Sequence, residues 1–140
     1  MIEETAVPTV KLIRLPLVCE ARGNLTFGEY DAHLPFVPLR YFLIYGVPAG
    51  VRRGGHAHRQ LQQALVCVQG AVAVEIDDGR RRDEIILDSP VRALIVPPLV
   101  WATQTFAEGA MLLVLCSDRY DAADYISDYA EFVGLVKTQR

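Results

Sequence analysis

The feature that most constrains this chain is its rhythm. Short segments rich in Val, Ile, Leu, Tyr and Phe recur about every ten residues, and Gly, Pro and Asp break them before a helical spacing can develop. Candidate strands lie at 10–15, 24–30, 40–47, 61–68, 71–77, 83–87, 93–96 and 110–117. Gln69-Gly70 is close enough between two of them to predict a hairpin, and Asp77-Asp78-Gly79 is a strong turn signal ahead of Arg80-Arg81-Arg82. In Val72-Ala73-Val74-Glu75-Ile76 apolar side chains alternate, as they do where one sheet face meets a core and the other meets water or a cavity. Near the end, Asp121 is a candidate helix cap with Asp124 three residues on, and Ile126, Tyr129, Val133 and Val136 follow at spacings of three and four. The expectation is an all-β domain over 1–140, two packed antiparallel sheets of about four to six strands each, with one short C-terminal helix.

The 140 residues are 51% hydrophobic, enough to close a core without disulfides or a structural metal. Fourteen Lys and Arg against 17 Asp and Glu leave a net charge of −3, which excludes the broad basic face of a nucleic-acid or anionic-membrane binder; an anionic ligand has to be met locally. No apolar run approaches the roughly 20 residues of a membrane span. Met1-Ile2-Glu3-Glu4 lacks the basic start of a signal peptide, so the cytoplasm is the expected compartment. Cys19, Cys67 and Cys116 show no C-x-x-C spacing, and the last two lie inside apolar runs, where reduced core thiols are expected.

Two of the three histidines form His56-Ala57-His58. On a strand, a period of two points both imidazoles to one face, as a shared site requires. The wider spacing, Gly50, His56-x-His58, Gln63 and Gly70, resembles the first cupin motif, G-x5-H-x-H-x(3,4)-E-x6-G, with Gln63 in place of the Glu ligand. Cupins are double-stranded β-helix jelly rolls, in agreement with the all-β rhythm. The second cupin motif, P-x-G-x-x-H, aligns with Pro97-Pro98-Leu99-Val100-Trp101-Ala102, so Ala102 replaces the remaining histidine ligand and no metal is expected. A histidine pair without metal is free to move protons near neutral pH, although it could also simply satisfy groups inside the barrel. His33 has no partner within two residues and reads as structural or surface; Tyr41, Tyr45 and Trp101 read as core or interface packing.

Arginines gather around this segment: Arg52-Arg53 just before it, Arg40 ahead of the preceding strand, and Arg22-Gly23-Asn24 earlier. Arginine matches phosphate oxygens in bidentate fashion, so a nucleoside diphosphate is a natural ligand. Counted by twos from His56, Arg53 falls on the opposite face, but Gly54-Gly55 permits a bulge that would break the register. Arg80-Arg81-Arg82 reads as a solvated rim.

Arg52-Arg53-Gly54-Gly55-His56-Ala57-His58, Leu61-Gln62-Gln63-Ala64-Leu65-Val66-Cys67, Asp77-Asp78-Gly79, Val100-Trp101 and the stretch 112–126 together resemble the sugar 3,4-ketoisomerases acting on dTDP-4-keto-6-deoxyglucose, small WxcM-like or FdtA-like cupins. The similarity runs over roughly residues 20–132. It implies a homodimeric cupin, free of metal and redox cofactor, that shifts a sugar carbonyl between carbons 4 and 3 through an enediol in deoxyaminosugar biosynthesis. It further implies His56 and His58 as the acid–base pair, Arg53 as a substrate-contacting cation, and Arg22 and Gln63 as further substrate contacts; Arg40, from the arginine cluster, is read as another. Relatives carry His or Arg after the Val-Trp dipeptide, so Ala102 removes a polar group from the pocket and leaves the configuration at carbon 4 of the product open. A related dTDP-sugar epimerase and a non-catalytic sugar-nucleotide-binding cupin share most of these features.

Overall fold

The computed structural model describes residues 1–139. Thirteen strands form two packed sheets and one isolated hairpin. The first sheet runs β1 (Ile2–Glu4), β2 (Lys11–Arg14), β10 (Arg92–Val96), β7 (Gln63–Gln69), β12 (Met111–Cys116) and β5 (Arg40–Ile44). The second runs β13 (Tyr125–Ile126), β6 (Arg52–His58), β11 (Trp101–Phe106), β8 (Val72–Asp77) and β9 (Arg82–Leu87). All pairings between these strands are antiparallel, which gives the jelly roll of a cupin. β3 (Leu17–Glu20) and β4 (Gly23–Thr26) pair only with each other.

The alternation seen in 72–76 sorts as expected. Val72, Val74 and Ile76 are buried between the sheets with Leu65, Leu94, Phe106 and Leu112, while Glu75 faces out. Cys67 and Cys116 belong to this core as free thiols. The turn after β8 also forms as expected: the Asp78 carboxylate accepts the backbone N–H groups of Arg80 and Arg81 at 2.9 and 2.8 Å.

Two expectations about turns and caps fail. Gln69-Gly70 does not make a hairpin, because β7 is already paired on both sides by β10 and β12, and β8 pairs with β9 and β11. At Gly70, with φ 75°, the chain turns the corner from one sheet to the other, and an added Cβ would lie 2.9 Å from the Cα of Ala110. A glycine-bearing corner and a glycine-bearing hairpin share the same local signal; strand pairing elsewhere decides between them. The C-terminal helix also starts later than the Asp121 signal implies. Asp121 caps a single 3-10 turn, Ala122–Asp124, and α1 spans Tyr129–Thr138 with Asp128 as its cap, accepting from Ala130 N at 2.9 Å. The interruption has a cause: Tyr125 and Ile126 pair with His58 and Ala57 of β6, which requires extended backbone. The helix then packs Phe132 and Val136 onto Ala57 and Ile126, on the face of β6 opposite the histidines.

Candidate active site

A cavity of about 370 Å³ opens between the sheets. β6 contributes Arg53, Gly54 and His56; β5 contributes Arg40, Phe42 and Ile44; Gln63 and Leu65 of β7, Val114 of β12, Gln104 of β11 and the side chains of Tyr120 and Tyr125 complete the wall. Four of the six residues singled out in the sequence, Arg40, Arg53, His56 and Gln63, therefore meet in one space.

Arg53 is there because of a bulge. Along β11, Ala102 pairs with His56 but the next residue, Thr103, pairs with Gly54, which leaves Gly55 unopposed. Gly54 and Gly55 sit at φ 81° and 79°, in the left-handed region open to glycine. The extra residue cancels the alternation that would have sent Arg53 outward, and cation and imidazole share one cavity. Among the described residues the Arg53 side chain has no ion pair or hydrogen bond, so its guanidinium donors are free for an anion.

His58 lies behind His56, only 5% exposed, with ring centroids 5.0 Å apart and planes at 83°. Its backbone is pinned twice: Tyr125 pairs with it across β13 and β6, and Leu99, held at φ 60°, donates its N–H to the His58 carbonyl at 2.8 Å. The buried His58 Nε2 has no hydrogen-bond partner among the described residues. Burial, with lesser repulsion from His56 and Arg40, lowers the His58 pKa to about 4 against an opposing pull from Asp124, so the ring is neutral at pH 7. Burial also lowers the His56 pKa, partly offset by its hydrogen bond with the Gly54 backbone. Both histidines thus stand as neutral bases in a half-dry pocket.

Stability should follow this titration. The unfolded chain binds a proton at His58 near pH 6.5 and the folded chain only near 4, so unfolding takes up a proton between those values and stability falls as pH drops through them. Denaturant unfolding at pH 7 and pH 4 should differ by up to roughly 3 kcal/mol from this group, and His58→Gln should flatten the profile over that window.

Arg40 is half-buried, with its Nε unpartnered, one terminal nitrogen 3.5 Å from Cys116 Sγ, and its guanidinium 5.4 and 5.5 Å from the ring centres of Phe42 and Tyr120. Its desolvation is outweighed by interactions with Cys116 and Tyr125, and its charge is held more firmly than usual. Arg22 stands apart: it is 88% exposed on the β3–β4 hairpin, paired with Glu20, and does not line this cavity. Ala102 is buried in the apolar core directly opposite His56 in the register. His33 serves structure, accepting Glu29 N at 3.0 Å. Tyr41 and Tyr45 are exposed, and Trp101 packs against Tyr129 and Phe132.

Sequence reasoning missed Gln104, Tyr120 and Tyr125. Gln104 shares the inner face of β11 with Ala102 and Phe106 and interrupts the apolar stripe that would have marked that face; the tyrosines lie in the stretch 112–126, legible only as part of a family pattern.

Among the described residues no group of three or more His, Cys, Asp or Glu side chains could hold a metal ion. With Gln63 and Ala102 at two positions where metal cupins carry ligands, the donors left are the two imidazoles, fewer than a stable divalent site uses. Activity should therefore survive prolonged EDTA dialysis unchanged; loss on dialysis with recovery on adding Zn, Mn or Fe would overturn this.

Residues 8–137 match the family model FdtA, described as WxcM-like, C-terminal. Over 123 residues, 87% of this chain and 88% of the relative, the sequence is 39% identical to a TDP-4-oxo-6-deoxy-alpha-D-glucose-3,4-oxoisomerase of Aneurinibacillus thermoaerophilus. The fold superposes with TM-score 0.92 and 33% identity on QdtA, a sugar 3,4-ketoisomerase of Thermoanaerobacterium thermosaccharolyticum crystallised with TDP, covering 95% of this chain and 98% of that one. The WlaRB TDP-quinovose 3,4-ketoisomerase of Campylobacter jejuni gives TM-score 0.88 at 34% identity over 91% and 99% of the two chains. With the paired histidines, the glycine bulge and the cavity in place, this chain belongs to the FdtA family of WxcM-like proteins.

Proposed function

We propose that the cavity binds a TDP-linked 4-keto-6-deoxyhexose and that His56 is the base that moves its carbonyl to carbon 3. The chain is a TDP-sugar 3,4-ketoisomerase, as its relatives are. The observation that carries the assignment of roles is the bulge at Gly55, which sets an unpaired Arg53 and a neutral His56 in one cavity. In a 4-ketosugar the neighbouring carbonyl acidifies the C3–H bond. His56, at the wall, takes that proton; the resulting enediol is reprotonated at carbon 4. His58, behind it and out of the cavity wall, serves as relay for that proton. Because the net change is an internal shift of hydrogen, no redox cofactor is required.

Arg53 meets the diphosphate, and Gln63 and Arg40 contact the sugar side of the ligand. Arg22 does not line its own chain's cavity, so a substrate contact by Arg22 would require the second copy in the homodimer that the family resemblance implies. We place the enzyme in the cytoplasm; no helix among the described residues is long and apolar enough to cross a membrane. Incubation with TDP-4-keto-6-deoxyglucose followed by NMR should show the carbonyl carbon signal move from carbon 4 to carbon 3. Inversion at carbon 3 or 5 with the ketone still at carbon 4 would instead establish an epimerase, and binding without turnover a non-catalytic module.

A further inference from the structure

Shifting a carbonyl from carbon 4 to carbon 3 relocates two hydrogens. A C3–H bond breaks and a C4–H bond forms; an O3–H bond breaks and an O4–H bond forms. The histidine pair accounts for the first exchange and leaves the second without a carrier. The oxygens require a neutral acid that donates to O4 and afterwards accepts from O3, within the same cavity.

Among the described residues lining the cavity, Tyr120 and Tyr125 are the two that carry a hydroxyl. Tyr120 is 67% exposed and lies with its ring against the Arg40 guanidinium. Tyr125 is half-buried, its ring 5.0 Å from His56 and 4.5 Å from His58, and its backbone is paired to His58. The strand pairing that carries the bases thus also fixes this ring beside them. Its one polar side-chain atom is the phenolic oxygen, and it shares the cavity lining with Arg40, whose charge can offset negative charge developing on that oxygen or on the substrate's O4.

The geometry points to Tyr125 as a catalytic acid of the ketoisomerisation, carrying a proton from O3 to O4 of the sugar while His56 carries one from carbon 3 to carbon 4. This rests on the ketoisomerase reading above. In the first half, His56 takes the C3 proton, the C–H electron pair becomes the C3=C4 bond, the carbonyl π pair moves to O4, and O4 takes the Tyr125 proton. In the second half, the Tyr125 phenolate takes the O3 proton, an O3 lone pair forms C3=O, and the C3=C4 pair takes the proton from His56 at carbon 4. Both side chains end as they began, and nothing outside the substrate is consumed.

The test is Tyr125→Phe, which keeps the ring and removes the acid. Turnover of TDP-4-keto-6-deoxyglucose should fall about a hundredfold or more. In D2O, wash-in of deuterium at carbon 3 of recovered substrate should fall much less than product formation, because His56 still removes that proton. TDP affinity by calorimetry and the melting temperature should match wild type. Turnover within threefold of wild type, or exchange and conversion lost in equal proportion, would overturn the role. If Tyr125→Phe folds poorly, 2,3-difluorotyrosine at 125 decides: as a more acidic phenol it should move the alkaline limb of kcat to lower pH, and an unmoved limb refutes the proposal. A wild-type enzyme that forms no 3-keto product at all defeats the ketoisomerase reading and this inference with it, whereas an active wild type with an active Tyr125→Phe defeats the inference alone.

Discussion

Replacing His56 with Asn is expected to lower turnover of TDP-4-keto-6-deoxyglucose by about a hundredfold or more, a loss of about 2.7 kcal/mol or more in transition-state stabilisation. TDP should still bind, because the diphosphate is assigned to Arg53, two strand positions beyond the bulge, and not to the imidazole. His58→Asn should cost a similar factor for a different reason. Its ring is buried behind His56, so losing it interrupts proton exchange with the base and not contact with the sugar. Solvent deuterium separates the two: wild type should incorporate label at carbon 4, His56→Asn should incorporate none, and His58→Asn should retain more of the substrate-derived hydrogen in the product it forms. The pH profile has a fixed sign. His56 acts as a neutral base, and burial lowers its pKa from the usual 6.5, so the acid limb of kcat/KM should lie below that value, with activity lost as pH falls through it. Wild-type turnover in both variants would show that the pair is structural.

How far the sequence foretells this site depends on which force set each residue. β8 was legible because one-sided burial imposes a period of two, and β12 because it is an unbroken apolar run. β11 was not, since Gln104 lines the cavity and breaks the inner apolar face between Ala102 and Phe106, while Thr103 and Thr105 lie on the other face. β3 goes unread and β4 is extended to residue 30 in the sequence because their side chains stay largely exposed and obey no burial rule. The His56-x-His58 spacing told which residues share a face, yet it could not reveal that one lines the cavity and the other is sealed behind it. That distinction comes from the Tyr125 and Leu99 contacts, long in sequence and short in space. Arg53 is the instructive case: strict alternation expels it, two adjacent glycines hint at the exception, and only the pairing with β11 decides.

Gly54→Ala follows from that last point and should damage fold and function together. At φ 81° an L-residue is strained by roughly 1 to 2 kcal/mol. The new Cβ would also sit 2.7 Å from Gln104 Oε1 and 2.9 Å from the Ala102 carbonyl oxygen. The glutamine amide can swing away, but the carbonyl belongs to the paired strand and cannot move without loosening β11 from β6. Relief therefore comes from opening the bulge, which returns Arg53 toward the outer face and shifts His56 relative to the cavity. A total destabilisation of about 3 kcal/mol is expected from strain plus this overlap, read from denaturant midpoints at constant m. At temperatures where the variant is still fully folded, turnover should drop at least tenfold and TDP affinity should fall with it, in contrast to the histidine variants, which spare binding. Gly50→Ala, also at positive φ but with open space around the added carbon, provides the control: it carries the backbone strain without the collision. Equal losses of activity in Gly50→Ala and Gly54→Ala would mean that the bulge does not hold cation and base in register, and that their meeting in the cavity depends on something other than the glycine pair.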